Sequence, residues 1–386
     1  MRFRHRSGEV VHLAYCSNVH PAEDVDGVID QLERFAVPVR EALGWPRLGI
    51  GLWLAADAAA ALAQDAGGRD RLRAALDAGG LEVVTLNGFP YGGFHDPVVK
   101  RAVYRPDWAD PRRVAYTRDL AVVLAALLPD DVSDGSISTL PLGWRDWWDA
   151  EHTAAAAGAF ADLARHLADL RERTGKRIRV ALEPEPGCTV ETVGQAVAAL
   201  EATRADSAHI GVCLDCCHLA VQFEDPASAL AVLDGADVAI VKSQVSSGLR
   251  VPDPAAALAD GTLAAFDEPR FLHQTRARTD GGVAAVDDLP DAADRLPTDR
   301  EWRVHFHVPV HAEGYDTTQD VLLATLDGLV GGDTPRTRHL EVETYTWTVL
   351  PPDRRPAGDE GLVEGLAREL SWTADRLTDL GLQPLA

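Results

Sequence analysis

The sequence predicts an α/β protein built as a (β/α)8 barrel. Short β-rich runs alternate with longer helical patterns along the whole chain, the signature of repeated βα units and a parallel sheet. The length of 386 residues suits one such barrel, and a hydrophobic content of 46% supports a sizeable core. Acids and histidines recur where the β-rich runs end, on the face where a parallel barrel carries its working groups.

The β-rich runs are residues 11–19, 48–54, 81–89, 135–142, 177–183, 210–215, 238–244, 302–310 and 339–346. Helical patterns lie between them at 22–43, 56–78, 111–127, 151–173, 190–203 and 317–329. A last one covers 358–380, where Leu362, Leu366, Leu370, Trp372, Leu377 and Leu380 recur at roughly helical spacing. Nine strands are one too many for the barrel. The excess is placed near 246–301, where FLHQTRARTDGGVAAVDDL reads as a hairpin turning at Asp280-Gly-Gly and a polar stretch rich in Asp and Pro follows. The expectation is one domain over 1–386 with an insertion at 246–301 within a βα loop. Either 238–244 or 302–310 is then barrel strand seven.

Composition excludes several partners. A net charge of −23 with no long basic run argues against nucleic acid and anionic membrane surfaces. The N-terminus, MRFRHRSGEVVHLAYC, lacks the apolar stretch of a signal peptide, and the longest apolar run, Leu120 to Leu128, is too short for a bilayer. A cytoplasmic protein with no direct membrane insertion is expected. Five cysteines, at 16, 188, 213, 216 and 217, do not suit a secreted disulfide framework. The C-x-x-C-C pattern in VCLDCCH has no second pair to complete a zinc site, so these read as small buried strand residues.

The chemistry concentrates at the strand ends. Asn18 and His20 follow the first run, and Asn87 and His95 lie around the third. Glu183 and Glu185 close the fifth in LEPEPG, and Asp215 and His218 close the sixth. His305, His307 and His311 follow in VHFHVPVH, then Glu341 and Glu343 in HLEVETYTW. Strand side chains alternate, so each strand aims its last acid or imidazole inward. Pro184 and Pro186 lack backbone donors, which stops the ladder and leaves both glutamates at the mouth. Converging carboxylates repel one another unless a cation sits among them. Unrelated ion pairs are the alternative, but the same pattern on four strands favours a divalent metal. Mixed carboxylate and imidazole ligation fits Mn²⁺, Mg²⁺, Co²⁺, Fe²⁺ or Zn²⁺.

Other residues are singled out as lining. NGFPYGGFH, with three glycines and three aromatics, suits a lid over a polyol, with Asn87 and His95 as hydrogen-bonding groups. His20 and His273 are further pocket candidates. Lys242, one of three lysines in the chain, sits inside the apolar run VAIVKSQ. A Schiff-base role is open to it, but a buried counter-ion to Glu183 or Glu185 is the favoured reading.

LEPEPG, LDCCH, HFHVP and EVETY together resemble the xylose isomerase-like TIM-barrel superfamily, which includes sugar isomerases and ketose 3-epimerases. The resemblance implies metal ligands at Glu183, Asp215, His307 and Glu343, with His307 matching a histidine of strand seven. It implies a substrate-facing His218. The chain departs from that pattern in Glu185 and in the extra strand before His305, which leaves those two residues as substrate contacts or further ligands. More narrowly, YCSNVHP, TLNGFPYGGFH, SISTLPLGW, VKSQVSS, FDEPRFLHQTR and HFHVPVH look like EboE-type metabolite traffic proteins, which implies a role in secondary metabolism with operon partner proteins.

The expected activity is a divalent-metal isomerase or epimerase acting on a sugar, cyclitol or related polyhydroxy small molecule. Glu183 and Glu343 would exchange a proton at the carbon beside a carbonyl while the metal stabilises the enediolate, with His218 orienting a hydroxyl. A metal-dependent hydrolase, a multinuclear iron oxidative enzyme and a non-catalytic metabolite carrier are the alternatives.

Overall fold

The computed structural model describes residues 1–385. Eight parallel strands close on themselves: Val10–Cys16, Leu48–Trp53, Leu81–Asn87, Asp134–Thr139, Arg177–Leu182, Ile210–Asp215, Ile240–Val245 and His339–Val342. The eighth pairs with the first, so the barrel has no free edge between them. Strands two, three, six and seven are buried at every residue, because one face fills the barrel and the other lies under helices. That double burial is why they read as apolar runs with little alternation.

The helices begin and end where local chemistry requires. Asp110 caps Pro111–Leu127, with proline at the first helical position, and Asp149 accepts from both Glu151 N and His152 N at the start of Ala150–Thr174. The latter helix stops at Gly175, whose φ of 71° is the left-handed conformation that glycine adopts without strain. At the barrel's N-terminal end, Arg2–Arg4 runs antiparallel to strand one, and Gln383–Leu385 runs antiparallel to Arg2–Arg4. Arg2 lies 2.7 Å from the buried carboxylate of Glu82, and the Met1 amino group donates to Leu13 O at 2.8 Å. Such contacts on that face serve stability.

The ninth strand belongs elsewhere. Trp302–Val308 lies inside a four-stranded antiparallel sheet, in the order Gly282–Val286, Thr275–Thr279, Trp302–Val308, Ser247–Val251. Barrel strand seven is therefore Ile240–Val245. The hairpin turns as the sequence suggests, with Thr279 opposite Gly282. The antiparallel sheet starts at Ser247, directly after strand seven, and runs to Val308, past the expected boundary at 301. Trp302–Val308 is buried at all but one position, so its apolar pattern matches that of a barrel strand and only its pairing tells them apart.

Candidate metal centre

The ladder of strand five ends at Glu183, whose N–H donates to Thr139 O at 3.0 Å. Pro184 follows and has no donor, so the chain leaves the sheet and Glu183 stands at the mouth. Strand six ends at Asp215, which caps the short helix Cys216–Val221 by accepting from His218 N at 2.9 Å. One helical turn then places His218 beside Asp215, which is the physical content of the D-x-x-H spacing. Strand eight is followed by Glu343, whose N–H donates to Val245 O at 3.2 Å.

Strand seven carries no histidine. Instead, His307 reaches the mouth from the antiparallel sheet, so its match to a strand-seven histidine is corrected: the imidazole arrives by a different backbone route. Strand seven's own contribution is Ser246, just beyond its end, whose hydroxyl donates to Asp215 Oδ1 at 2.7 Å.

Ligand atoms of Glu183, Asp215 and Glu343 lie within 4.8 Å of one another, and those of Asp215, His218 and His307 do likewise. Each side chain is held by its far atoms. His307 Nδ1 donates to Glu343 O at 2.8 Å, which leaves Nε2 as a lone pair 3.8 Å from Asp215 Oδ2. Glu343 Oε1 accepts from Asn18 Nδ2 at 2.7 Å and Asn87 Nδ2 at 2.8 Å. Glu183 Oε2, Asp215 Oδ2 and His307 Nε2 are buried polar atoms without a partner. Such orphans, in two groups that share Asp215, fit a divalent cation, because each would otherwise carry its full desolvation cost. Burial, then the charges of Glu343 and Asp215, push Glu183 well above the usual range. Burial, then the charges of Asp215 and Glu341, do the same to Glu343.

Ser246→Ala is expected to weaken metal affinity about 10- to 100-fold, the usual effect of losing an outer partner of a ligand, and to lower the melting temperature of the metal-free protein as well, because the buried Cys217 N–H loses its acceptor. Competition with a chelator measures it.

Residues 48–268, which span barrel strands two to seven, match the xylose isomerase-like TIM barrel family. The chain belongs to that family. The match ends before His305, His307 and Glu343. Among solved structures, the IolI protein with a binding zinc atom superposes with a TM-score of 0.52 at 15% identity, covering 96% of this chain and 99% of that one. A xylose isomerase-like TIM barrel protein from Mycobacterium smegmatis in complex with magnesium gives 0.52 at 13%, covering 96% and 97%. L-ribulose 3-epimerase gives 0.52 at 13%, covering 96% and 95%. These likenesses show the shared barrel. No curated protein matches the chain.

Within this xylose isomerase-like barrel the remaining expected residues divide into two groups. Asn18, Asn87, Glu183, Glu185, His218, His305, His307 and Glu343 all line one cavity. His20, His95, His273 and Lys242 stand behind it. His20 stacks on Phe35 with ring centroids 4.3 Å apart, and its Nε2 is 3.2 Å from Tyr15 Oη. His95 donates from Nε2 to Asn18 O at 2.8 Å, which steadies the loop carrying Asn18. His273 bridges His305 O at 3.1 Å and Glu268 Oε1 at 3.0 Å, so it supports the antiparallel sheet. Lys242 is fully buried below the mouth, 2.7 Å from an equally buried Glu341 Oε2. Its partner is thus Glu341, and the expected pairing with Glu183 or Glu185 is corrected. A Cβ at Gly51 would lie 2.2 Å from the Glu341 carboxylate, so only glycine leaves room for this pair.

Tyr104, Gln274, Ser246 and Tyr345 were not singled out from the sequence. Ser246, Gln274 and Tyr345 do lie in the family-like segments VKSQVSS, FDEPRFLHQTR and EVETY. Gln274 Nε2 donates to Tyr104 Oη at 2.8 Å, and Tyr104 Oη donates to Glu185 Oε1 at 2.8 Å. The cysteines are all free and buried; Cys216 and Cys217 open a helix where strand positions were expected.

The roof is aromatic. Phe94, Phe271 and Tyr345 pack with centroids 4.9 to 5.4 Å apart, and Val99 N and Lys100 N both donate to Arg270 O at 2.8 Å. The free cavity beneath is only about 60 Å³, room for a few waters, far below the roughly 300–1,000 Å³ of small-molecule sites. Among the described residues, no helix is long and apolar enough to cross a membrane.

Proposed function

We propose that this chain is a divalent-metal isomerase or epimerase that moves a proton at the carbon beside a carbonyl of a polyhydroxy small molecule. The observation that carries this reading is the set of orphaned, buried ligand atoms of Glu183, Asp215 and His307 gathered with Glu343, three of these residues, Glu183, His307 and Glu343, lining one cavity. Glu183, Asp215, His307 and Glu343 would hold the metal. When bound, a divalent cation there supplies Lewis-acid polarisation of a carbonyl oxygen. The chain's own residues do the rest. Glu183 and Glu343 approach from strands five and eight, so one carboxylate takes the proton and the other returns it from a different side. Asn18 and Asn87 fix Glu343 through Oε1 and leave its other oxygen to the site. The aromatic roof excludes water from the exchanging carbon.

The zinc- and magnesium-bound relatives and the epimerase among them support the metal and the reaction class. The EboE-like segments support a substrate drawn from secondary metabolism, with partner proteins from the same operon. Incubating metal-loaded protein in D₂O with a panel of ketoses and keto-cyclitols tests the reading by NMR. Deuterium should enter at the carbon beside the carbonyl, and Glu183→Gln or Glu343→Gln should slow entry by at least about a hundredfold. Full exchange in the double Gln variant would end the idea. The neighbouring cluster of Glu185, His218 and His305 favours a second reading, multinuclear hydrolysis or iron-dependent oxidation on the same barrel. Two or more equivalents of iron in protein purified without added metal would select oxidation.

A further inference from the structure

Among the described residues, Lys100 is the one lysine or arginine that lines the cavity. The carboxyl groups of Glu183, Glu185 and Glu343 line it too and offer an anion no attraction, so among side chains only this ammonium does. The neighbouring guanidiniums are engaged elsewhere. Arg101 and Arg145 pair with Asp287, and Arg276 pairs with Glu191.

The backbone that places Lys100 is strained. Its φ of 40° is a left-handed conformation that residues with a side chain rarely adopt. Arg204, Phe223 and Asp237 also have positive φ, but each stands within two residues of a helix C-terminus, where that conformation is routine. Lys100 instead opens the short turn Lys100–Tyr104 with no helix before it. Leu142 is the other exception, in the loop after strand four, and it does not line the cavity. At Lys100 the strained turn lets Val99 N and Lys100 N both donate to Arg270 O, and it brings Lys100, Val103 and Tyr104 together to the cavity wall. Strain kept at such a wall points to a ligand-facing role.

The ammonium donates to Asp288 Oδ2 at 2.6 Å. Both side chains are partly exposed, 27% and 19%, so the pair contributes little to stability. Asp288 is held without it, since Oδ1 accepts from His273 N at 3.0 Å and Leu289 N at 3.1 Å. Lys100 can therefore turn to another anion and leave that loop in place. Val103, Phe271 and Leu272 share its stretch of wall, and beside apolar groups a charge-assisted contact is stronger than in water. We propose that Lys100 binds a carboxylate or phosphate group of the substrate, so that the polyhydroxy molecule taken by this site is a sugar acid or a phosphate ester. The assignment rests on the isomerase reading for what becomes of that molecule. With the anion held at Lys100, its other end is the part presented to Glu183 and Glu343.

The test is calorimetric binding to the full chain loaded with Mn²⁺, using matched probes: D-fructose against D-fructuronate, and D-fructose against D-fructose 6-phosphate. In wild type the charged member of at least one pair should bind at least about tenfold tighter, the uronate marking a carboxylate site and the ester a phosphate site. Lys100→Met should bring that ratio close to one, while Lys100→Arg, which keeps the charge, should retain most of it. Metal content measured in each variant separates Lys100 from direct binding of the anion to the cation. If Lys100 only braces its loop through Asp288, Lys100→Met lowers the melting temperature and leaves the ratio at its wild-type value, and the assignment falls. Charged and neutral members bound alike, tightly or not at all, overturn it too. Deuterium exchange keeps the two readings apart. A preference for the anion without exchange ends the isomerase reading alone, and exchange into neutral ketoses without that preference ends the Lys100 assignment alone.

Discussion

Lys242→Met is expected to destabilise the protein by about 3–5 kcal/mol, the usual cost of leaving one member of a buried ion pair without its partner. Lys242 and Glu341 are both fully buried and 2.7 Å apart, so loss of the ammonium strands a carboxylate where water cannot reach it. Urea unfolding measures the effect as a lower midpoint at unchanged slope. The double variant Lys242→Met/Glu341→Leu removes both charges and should recover most of the loss, because apolar replacements of buried pairs are often neutral. The double variant also separates a structural lysine from a catalytic one. Lys242 does not line the cavity, so metal binding should survive in the double variant. Loss of metal or proton exchange there, with stability restored, would return Lys242 to the chemistry.

The barrel was legible because its strands are buried on both faces, which produces apolar runs separated by helical periodicity. Pro111–Leu127 and Ile210–Asp215 fall where that periodicity places them. The acids at the mouth were legible for a topological reason: in a parallel barrel every strand ends on the same face, so Glu183, Asp215 and Glu343 had to converge. Pairing was not legible. Trp302–Val308 is as buried as a barrel strand, and nothing in its composition says that its neighbours run antiparallel. The same limit hid the partner of Lys242. Alternation shows that the side chain points inward, but which acid shares its layer depends on the register between strands seven and eight. Tyr104, Gln274 and Ser246 act through loops whose contacts exist only once the chain is folded. His20, His95 and His273 show the converse, since a histidine near a strand end is as well used bracing a loop as facing a substrate.

Removing metal is expected to make stability fall as pH rises, and adding metal back should cancel most of that fall. Burial pushes Glu185 from 4.5 up to about 8, while Tyr104 and Gln274 only partly oppose it. Glu183 and Glu343 are displaced upward as well, by burial first and then by neighbouring carboxylates. A carboxyl whose folded pKa lies above its unfolded value stabilises the protein fully below the unfolded value, and that contribution is lost as pH rises through the folded one. For Glu185 the window runs from about pH 4.5 to about pH 8. At roughly 1.4 kcal/mol per pH unit, a shift of that size corresponds to a few kcal/mol. Three other carboxyl groups complicate the raw curve. Glu369 and Glu224, both raised to about 7 by burial, lose stability in the same direction whether or not metal is bound. Glu82 acts oppositely: its net shift is downward despite its burial, through His12 and Arg2, so its contribution disappears on acidification. All three lie outside the metal set and cancel in the difference between loaded and metal-free protein. A bound cation keeps the site's carboxylates ionised at no such cost, so the increase in Tm on adding Zn²⁺ or Mn²⁺ should grow steadily from about pH 5 to about pH 8. Melting curves with and without chelator across that range decide the matter. A difference that stays flat or shrinks with pH would mean that these carboxyls do not meet the metal.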